Sequence, residues 1–315
     1  MSLIVVTYKA DMNKLFVTIN SILAQKDVGF EIIITNDGKD EWDENTIQQY
    51  LQLKNFHNYT ITSLDENKGT TWNCWNGLMF CKGKYVMTLS PGDYLNGENV
   101  LRKWIDNIEE NKAVVSFSDC IHYQYQNGKV EPISVKMHPQ TVSQYYGGYW
   151  SYNYLVFNDL VTGACMLTET YTFVSYINEI LDKVKYAEDN VYRMMAFNEE
   201  KACYYNEDAI LYEHGTGIST QNNREWNNRL SKDWDATDNI LLSWECKNTR
   251  LYDNFKRVVE SRKIQSRVNQ KFRRLLIHGY IKYALRNKLH PRMSKLKVDN
   301  LYVERIHKGI LSEKR

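Results

Sequence analysis

Residues 84–95 read KYVMTLSPGDYL, and the order of residue types within them decides what kind of sheet the chain builds. Val86, Met87 and Leu89 make an apolar run short enough for a central strand, and Pro91-Gly92 breaks it, so Asp93 is expected to project from the strand's carboxyl end. In open α/β sheets that edge is where ligands bind.

The same arrangement recurs upstream. Residues 3–8 (LIVVTY) are an apolar, β-branched run that stops at Thr7 and Tyr8, and residues 31–38 (EIIITNDG) are a second, ending in Asn36-Asp37-Gly38. Between them Leu15, Ile19, Ile22 and Leu23 fall at helical spacing, as a crossover between parallel strands requires. Residues 70–82 predict the next helix, residues 59–64 a weaker third strand and residues 85–89 the fourth. The pattern is that of a doubly wound, mainly parallel α/β sheet with Thr7, Asp37 and Asp93 on its carboxyl edge.

Composition excludes fibrous and disordered classes: 315 residues with 43% hydrophobic and 25% charged can bury one large core plus an appendage. No run of 18 apolar residues occurs, and the opening MSLIVVTY is a strand with neither a basic flank nor a cleavage site. Neither a spanning helix nor a secretory signal is expected. Cys74, Cys81, Cys120, Cys165, Cys203 and Cys246 show no CxxC spacing and no neighbouring histidine pairs, so they read as reduced thiols of a cytoplasmic protein. The Asn58-Tyr59-Thr60 sequon is then idle.

The net charge of +2 conceals an asymmetry. Residues 250–315 hold 19 Lys+Arg against 5 Asp+Glu, leaving residues 1–249 with 12 more acids than bases. Twelve cations and no acid lie within residues 262–297, where Val268, Phe272, Leu275, Leu276 and Gly279 repeat at helical spacing. A basic amphipathic helix of this kind suits an anionic membrane surface; equally, its apolar stripe could pack on the acidic part of the chain or on another subunit of a homo-oligomer. No nucleic-acid reading motif is present, and no nucleic-acid partner is expected. The organisation reads as a catalytic domain over 1–220, a helical segment over 221–249 that packs on it or lids it, and a basic amphipathic tail over 250–315.

Five pieces in order, VVTYKADMNKLFVTINSILAQ, EIIITNDG, NKGTTWNCWNGLMFCKGKYVMTLSPGDYL, AEDN and LYEHGTGIST, resemble the inverting nucleotide-sugar glycosyltransferases of family 2, which have the GT-A fold. The resemblance covers roughly residues 2–220. It implies that Thr7 and Asp37 contact the nucleotide, with Tyr8 at the same strand end able to reach the base, that Ser90 and Asp93 face the diphosphate, and that His214 stands near the metal and diphosphate. It implies Mg²⁺ or Mn²⁺ held by Asp93 and His214, although the family's Asp-x-Asp-Asp run here reads Ser90-Pro91-Gly92-Asp93 and keeps only the last acid. It also implies that Asp189 of AEDN is the base, with Glu188 as its orienting or acceptor-contacting neighbour.

The residues have plainer roles beside these: strand-end capping for Thr7, an Asx turn for Asp37, a surface position for His214, and helix-dipole stabilisation for Glu188 and Asp189. On the acceptor side, residues 145–154 (YYGGYWSYNY) offer Tyr149 and Trp150 as faces for a sugar ring, and Asp119 follows the apolar residues 113–118 at an expected strand end. The reading is a metal-dependent hexosyltransferase, cytoplasmic or peripheral on the inner membrane face. Its donor is a nucleotide-sugar, UDP by family frequency, and its acceptor a growing bacterial cell-surface polysaccharide or a lipid-linked oligosaccharide. A non-catalytic relative is supported by the thinned acidic run. A nucleotidyltransferase is disfavoured, because residues 8–13 (YKADMN) lack the glycine- and basic-rich loop it needs.

Overall fold

The computed structural model describes residues 1–126, 129–146, 150–215, 224–264 and 266–311. Strands β1 (Ser2–Thr7) and β2 (Glu31–Asn36) are parallel neighbours joined through α1 (Met12–Leu23). Helix α2 (Glu44–Leu53) leads to β3 (Tyr59–Ser63), and α3 (Thr70–Leu78) leads to β4 (Tyr85–Leu89). All four strands run parallel in the order β3-β2-β1-β4. Leu3, Ile4, Val5, Ile32, Ile33 and Ile34 are fully buried, because helices cover both faces of a parallel sheet; that is why these strands read as continuous apolar runs. β3 is half-buried throughout, as an edge strand is, which accounts for its weaker pattern. Asp11 caps α1, its carboxylate accepting from the Asn13 and Lys14 amides.

The chain then crosses the sheet. After Asp93, β5 (Tyr94–Leu95) and α4 (Val100–Glu110) precede the long β6 (Val115–Gln126) and its partner β7 (Lys129–Pro132). Short helices α5 (Ser143–Tyr146) and α6 (Trp150–Leu155), β8 (Met166–Glu169), α7 (Thr170–Ile180), α8 (Val191–Phe197) and β9 (Ala202–Glu213) follow. Single 3-10 turns stand at Gly163–Cys165 and Glu188–Asn190. β8 enters antiparallel between β4 and β6, while β6 and β9 pair in parallel. β5 pairs antiparallel with β9, Tyr94 facing Leu211, so the turn that carries Asp93 is brought against the end of β9.

One expectation is corrected. Asp119 does not stand at a strand end: β6 runs on to Gln126, and Asp119 sits at an irregularity in its register with β9. Cys120, Ile121 and Tyr123 keep the strand going because they are buried beyond it.

Helices α9 (Arg224–Ser243), α10 (Thr249–Arg262), α11 (Arg267–Leu275), α12 (Tyr280–Leu289) and α13 (Asn300–His307) complete the described chain. α10 places Leu251, Phe255, Val258 and Val259 in the main core. α13 returns to the N-terminal sheet: Tyr302 Oη donates to the Leu95 carbonyl at 2.8 Å, Asn20 Nδ2 donates to the Ile306 carbonyl at 2.7 Å, and Arg305 pairs with Glu98 at 2.7 Å. No described helix is long and apolar enough to cross a membrane.

A buried ion cluster joins α8, α9 and α10. Asp238, 1% exposed, pairs with Arg193 and, at 2.8 Å, with Arg262, and both guanidinium groups lie over the Trp234 ring, at 5.0 and 5.7 Å. Asp238→Ala would leave the buried Arg193 and the half-buried Arg262 without their anion, and is expected to destabilise by about 3–5 kcal/mol in denaturant titration. A loss below about 1 kcal/mol, the scale of an exposed pair, would show that the cluster contributes little.

Candidate active site

The end of the site at which the sequence places the nucleotide is built around Asp37. Its carboxylate is 5% exposed and accepts from the backbone amides of Lys68, at 2.7 Å, and Gly69, at 2.9 Å, at the entry to α3. Burial raises its pKa, opposed by those two amides and by the Lys185 charge. Gly69 has φ +97°, and a Cβ there would meet the Lys185 carbonyl oxygen at 2.4 Å, so only glycine lets the two loops touch. The buried Thr7 hydroxyl lies 3.0 Å from the Thr35 carbonyl and 2.8 Å from Asn36 Oδ1, holding β1 to β2, whereas Tyr8 is 53% exposed.

The turn after β4 is held from three sides. Thr18 Oγ1 accepts from the Gly92 amide at 3.0 Å, Tyr123 Oη donates to the Gly92 carbonyl, and the Asp93 amide donates to the carbonyl of the exposed Ser90 at 2.9 Å. Asp93 Oδ2 accepts from the Ser90 amide at 3.2 Å. Its carboxyl, 5% exposed, is pushed up to about 7 by desolvation, against the amides of Ser90 and Glu213. Glu213 packs on Gly92 and is paired with Lys14 at 2.6 Å. Tyr123 reaches the next residue too, for its carbonyl accepts from the His214 amide at 2.8 Å. One side chain and its own backbone thus tie the Asp93 turn to His214. Burial and the neighbouring His122 ring, 5.6 Å away, lower the His214 pKa, and His214 Nδ1 is buried without a hydrogen-bond partner among the described residues.

Glu188 and Asp189 form the 3-10 turn that leads into α8, and both are half-buried. Desolvation raises both carboxyls, Glu188 to about 8 with Asp189 adding repulsion, while the Arg193 charge opposes the rise at Asp189. A Cβ added at Gly163 would lie 3.8 Å from the Asp189 Cβ, and the Asp93 charge contributes to raising the Cys165 thiol two residues on. The Gly163–Cys165 turn therefore runs beside Asp189. Sequence reasoning missed the support behind this pair. Asp233 of α9, 5% exposed, accepts from three successive amides, Lys185 at 3.0 Å, Tyr186 at 2.6 Å and Ala187 at 3.1 Å. Those bonds fix the loop that ends at Glu188 and also contacts Gly69.

The acceptor side differs from expectation. Trp150 is 1% exposed; its indole N–H donates to the Glu200 carbonyl at 2.8 Å, and its ring packs on Phe117 and Tyr154 at 5.1 and 5.4 Å. It is a core residue here, with no ring face open to a sugar. Tyr149 lies outside the described residues, as does the glycine-containing stretch after Gly215. Asp119 is paired with Arg292, which also bonds to Tyr204 Oη at 3.2 Å. Among the described residues no cluster of three or more His, Cys, Asp or Glu side chains is placed to hold a metal ion.

A mainly parallel sheet with acidic turns gathered on its carboxyl edge and antiparallel additions beyond β4 is the GT-A architecture of glycosyltransferases. The family model of glycosyl transferase family 2 matches residues 2–184, and the chain belongs to that family. Its fold is similar to S. aureus TarS (TM-score 0.54, 16% identity, 85% of this chain and 44% of that one). It is likewise similar to TarS 1–349 in complex with UDP (0.53, 15%, 98% and 87%). A mannosyltransferase from Pyrobaculum calidifontis, in complex with GDP-Man and Mn²⁺, is similar over all of this chain and 87% of its own (0.54, 9%). The chain spans less than half of the longer TarS chain. No curated protein matches the sequence.

Proposed function

We propose that the chain is an inverting glycosyltransferase that moves a sugar from a nucleoside-diphosphate donor, UDP foremost, to a hydroxyl of a cell-surface polysaccharide or lipid-linked oligosaccharide. The observation that carries this reading is the Glu188–Asp189 pair: two acids whose pKa values burial raises, on a loop fixed by Asp233 and touching the loop that binds Asp37. A carboxylate with a raised pKa is the better proton acceptor near neutrality. Asp189 takes the proton of the acceptor hydroxyl as its oxygen bonds to the anomeric carbon. The bond from that carbon to the diphosphate oxygen breaks on the opposite face, so the anomeric configuration inverts. Asp37 and the α3 entry hold the nucleoside side of the donor.

Asp93 and His214 fit a divalent ion, Mg²⁺ or Mn²⁺: a buried carboxylate and a buried imidazole nitrogen that has no partner among the described residues and is favoured in its neutral form, on turns tied together by Tyr123. Two protein ligands suffice where phosphate oxygens and waters supply the rest. Such an ion would neutralise charge growing on the departing diphosphate. Working on the inner face of a membrane would bring the enzyme to a lipid-linked acceptor.

The test is calorimetric binding of UDP- and GDP-sugars with and without Mn²⁺, followed by NMR of the product's anomeric proton. Tight metal-dependent binding of one donor and an inverted product are expected. Retained configuration would overturn the displacement, and absence of donor binding would favour a non-catalytic relative.

A further inference from the structure

Seven apolar side chains on two C-terminal helices are left in solvent. Val268, Phe272, Leu275 and Leu276 recur at helical spacing on and just after α11, and Ile281, Leu285 and Leu289 on α12, each at least 48% exposed. The two stripes meet, for Leu275, Leu276, Ile281 and Leu285 line one open groove together with Lys282. A helix pair that folds onto its own core does not present apolar surface of this kind to water.

The surroundings are cationic. Of the twelve Lys and Arg in residues 262–297, Arg262, Arg292 and Lys295 are paired with Asp238, Asp119 and Asp208. Lys271, Arg273, Lys282, Arg286 and Lys288 are exposed and enter no ion pair among the described residues. The base of the helix pair rests on α6 and the residues just after it: Tyr152 Oη donates to the His278 carbonyl at 3.0 Å, and Phe157 stacks on Tyr283 with centroids 4.5 Å apart.

We propose that α11 and α12 form a docking face for an anionic lipid bilayer. The apolar stripes enter the acyl boundary and the flanking cations meet the headgroup charge, a pairing of apolar depth with dense negative charge that a bilayer supplies over an extended area. A second copy of this chain is a poorer occupant, because a two-fold contact through this face would set the same cations against one another. The proposal deepens the reading of a lipid-linked acceptor and rests on it for its purpose, while the docking itself is read out separately.

The test is co-sedimentation of the full chain with phosphatidylcholine vesicles, with and without phosphatidylglycerol. Binding is expected only with phosphatidylglycerol, and is expected to weaken as salt is raised past the range where the Debye length falls below about 10 Å. Lys282→Ala and Arg286→Ala should each lower the partition coefficient about fivefold. The Phe272→Asp, Leu285→Asp double variant should lower it at least about tenfold even at low salt, both sites being exposed and safe for folding. Indifference of the intact chain to phosphatidylglycerol at low salt, or unchanged binding by the double variant, would overturn the proposal. So would a fall in oligomer mass in the double variant without any vesicle binding by the parent. Transfer to a water-soluble acceptor should persist in the double variant; loss of transfer in all forms with vesicle binding intact would strike the reaction proposed above and leave the docking face standing.

Discussion

Asp189→Asn is expected to lower the transfer rate by a factor on the order of 10² to 10⁴ while donor affinity stays near that of the parent. The substitution keeps the size and hydrogen-bonding shape of the side chain and removes its basicity. In the reaction proposed above the donor is held by the Asp37 turn and the Asp93 turn, neither of which hydrogen-bonds to Asp189 among the described residues. The Arg193 guanidinium beside Asp189 keeps its ion pair with Asp238 when the carboxylate is lost, so the variant is expected to fold. Burial raises both acids of the pair, so the parent's rate should go on climbing toward neutral pH instead of levelling off in the ordinary carboxylate range. Single-turnover kinetics with calorimetric donor binding separates the two quantities. Near-parental turnover in a folded variant would remove Asp189 from the chemistry.

How far the sequence could be read depends on where each residue's partners lie. β1, β2 and β4 were legible because each is apolar over its own length, a property of the local residues alone. The Asp93 turn was legible for the same reason, with Pro91 and Gly92 marking it. Asp233 and Asp238 were not: on a helix rich in Lys, Arg and Asp they resemble a solvated face, and only Arg193, Arg262 and the amides of residues 185–187 make them buried acceptors. Trp150 misled in the opposite sense, since a cluster of tyrosines and a tryptophan fits a sugar platform or a core, and Phe117 from β6 settles it as core. Asp119 depended on a register irregularity against β9, which no local pattern encodes. In the C-terminal stretch, charge marked a unit, but Tyr302, Val303 and Ile306 of α13 bury themselves near α1 and β5, so its two ends belong to the body and its exposed middle stands apart.

Asp93→Asn is expected to have opposite effects on function and on stability. Transfer should fall by roughly 10² to 10³, the range for removing one group that stabilises charge developing in a transition state. In metal-free protein, however, the variant should be the more stable at alkaline pH. The Asp93 carboxyl titrates at about 7 in the fold against an ordinary 3.8, so the native state holds its proton more tightly than the unfolded chain does. The stability this gives is complete below the unfolded pKa and is lost as pH rises through the folded one, where the buried carboxylate must ionise or the protein must unfold. Asparagine carries no such proton, and Asp93→Asn should therefore gain on the parent by about 3 kcal/mol between about pH 5 and about pH 8 in urea titrations. Mn²⁺ with a nucleoside diphosphate should reverse the order at the upper pH, because a ligand that binds only the native parent stabilises it by mass action. A gap between parent and variant that does not change with pH would show that Asp93 is ionised at ordinary cost. A variant still stabilised by Mn²⁺ and nucleotide as strongly as the parent would take Asp93 out of the diphosphate site.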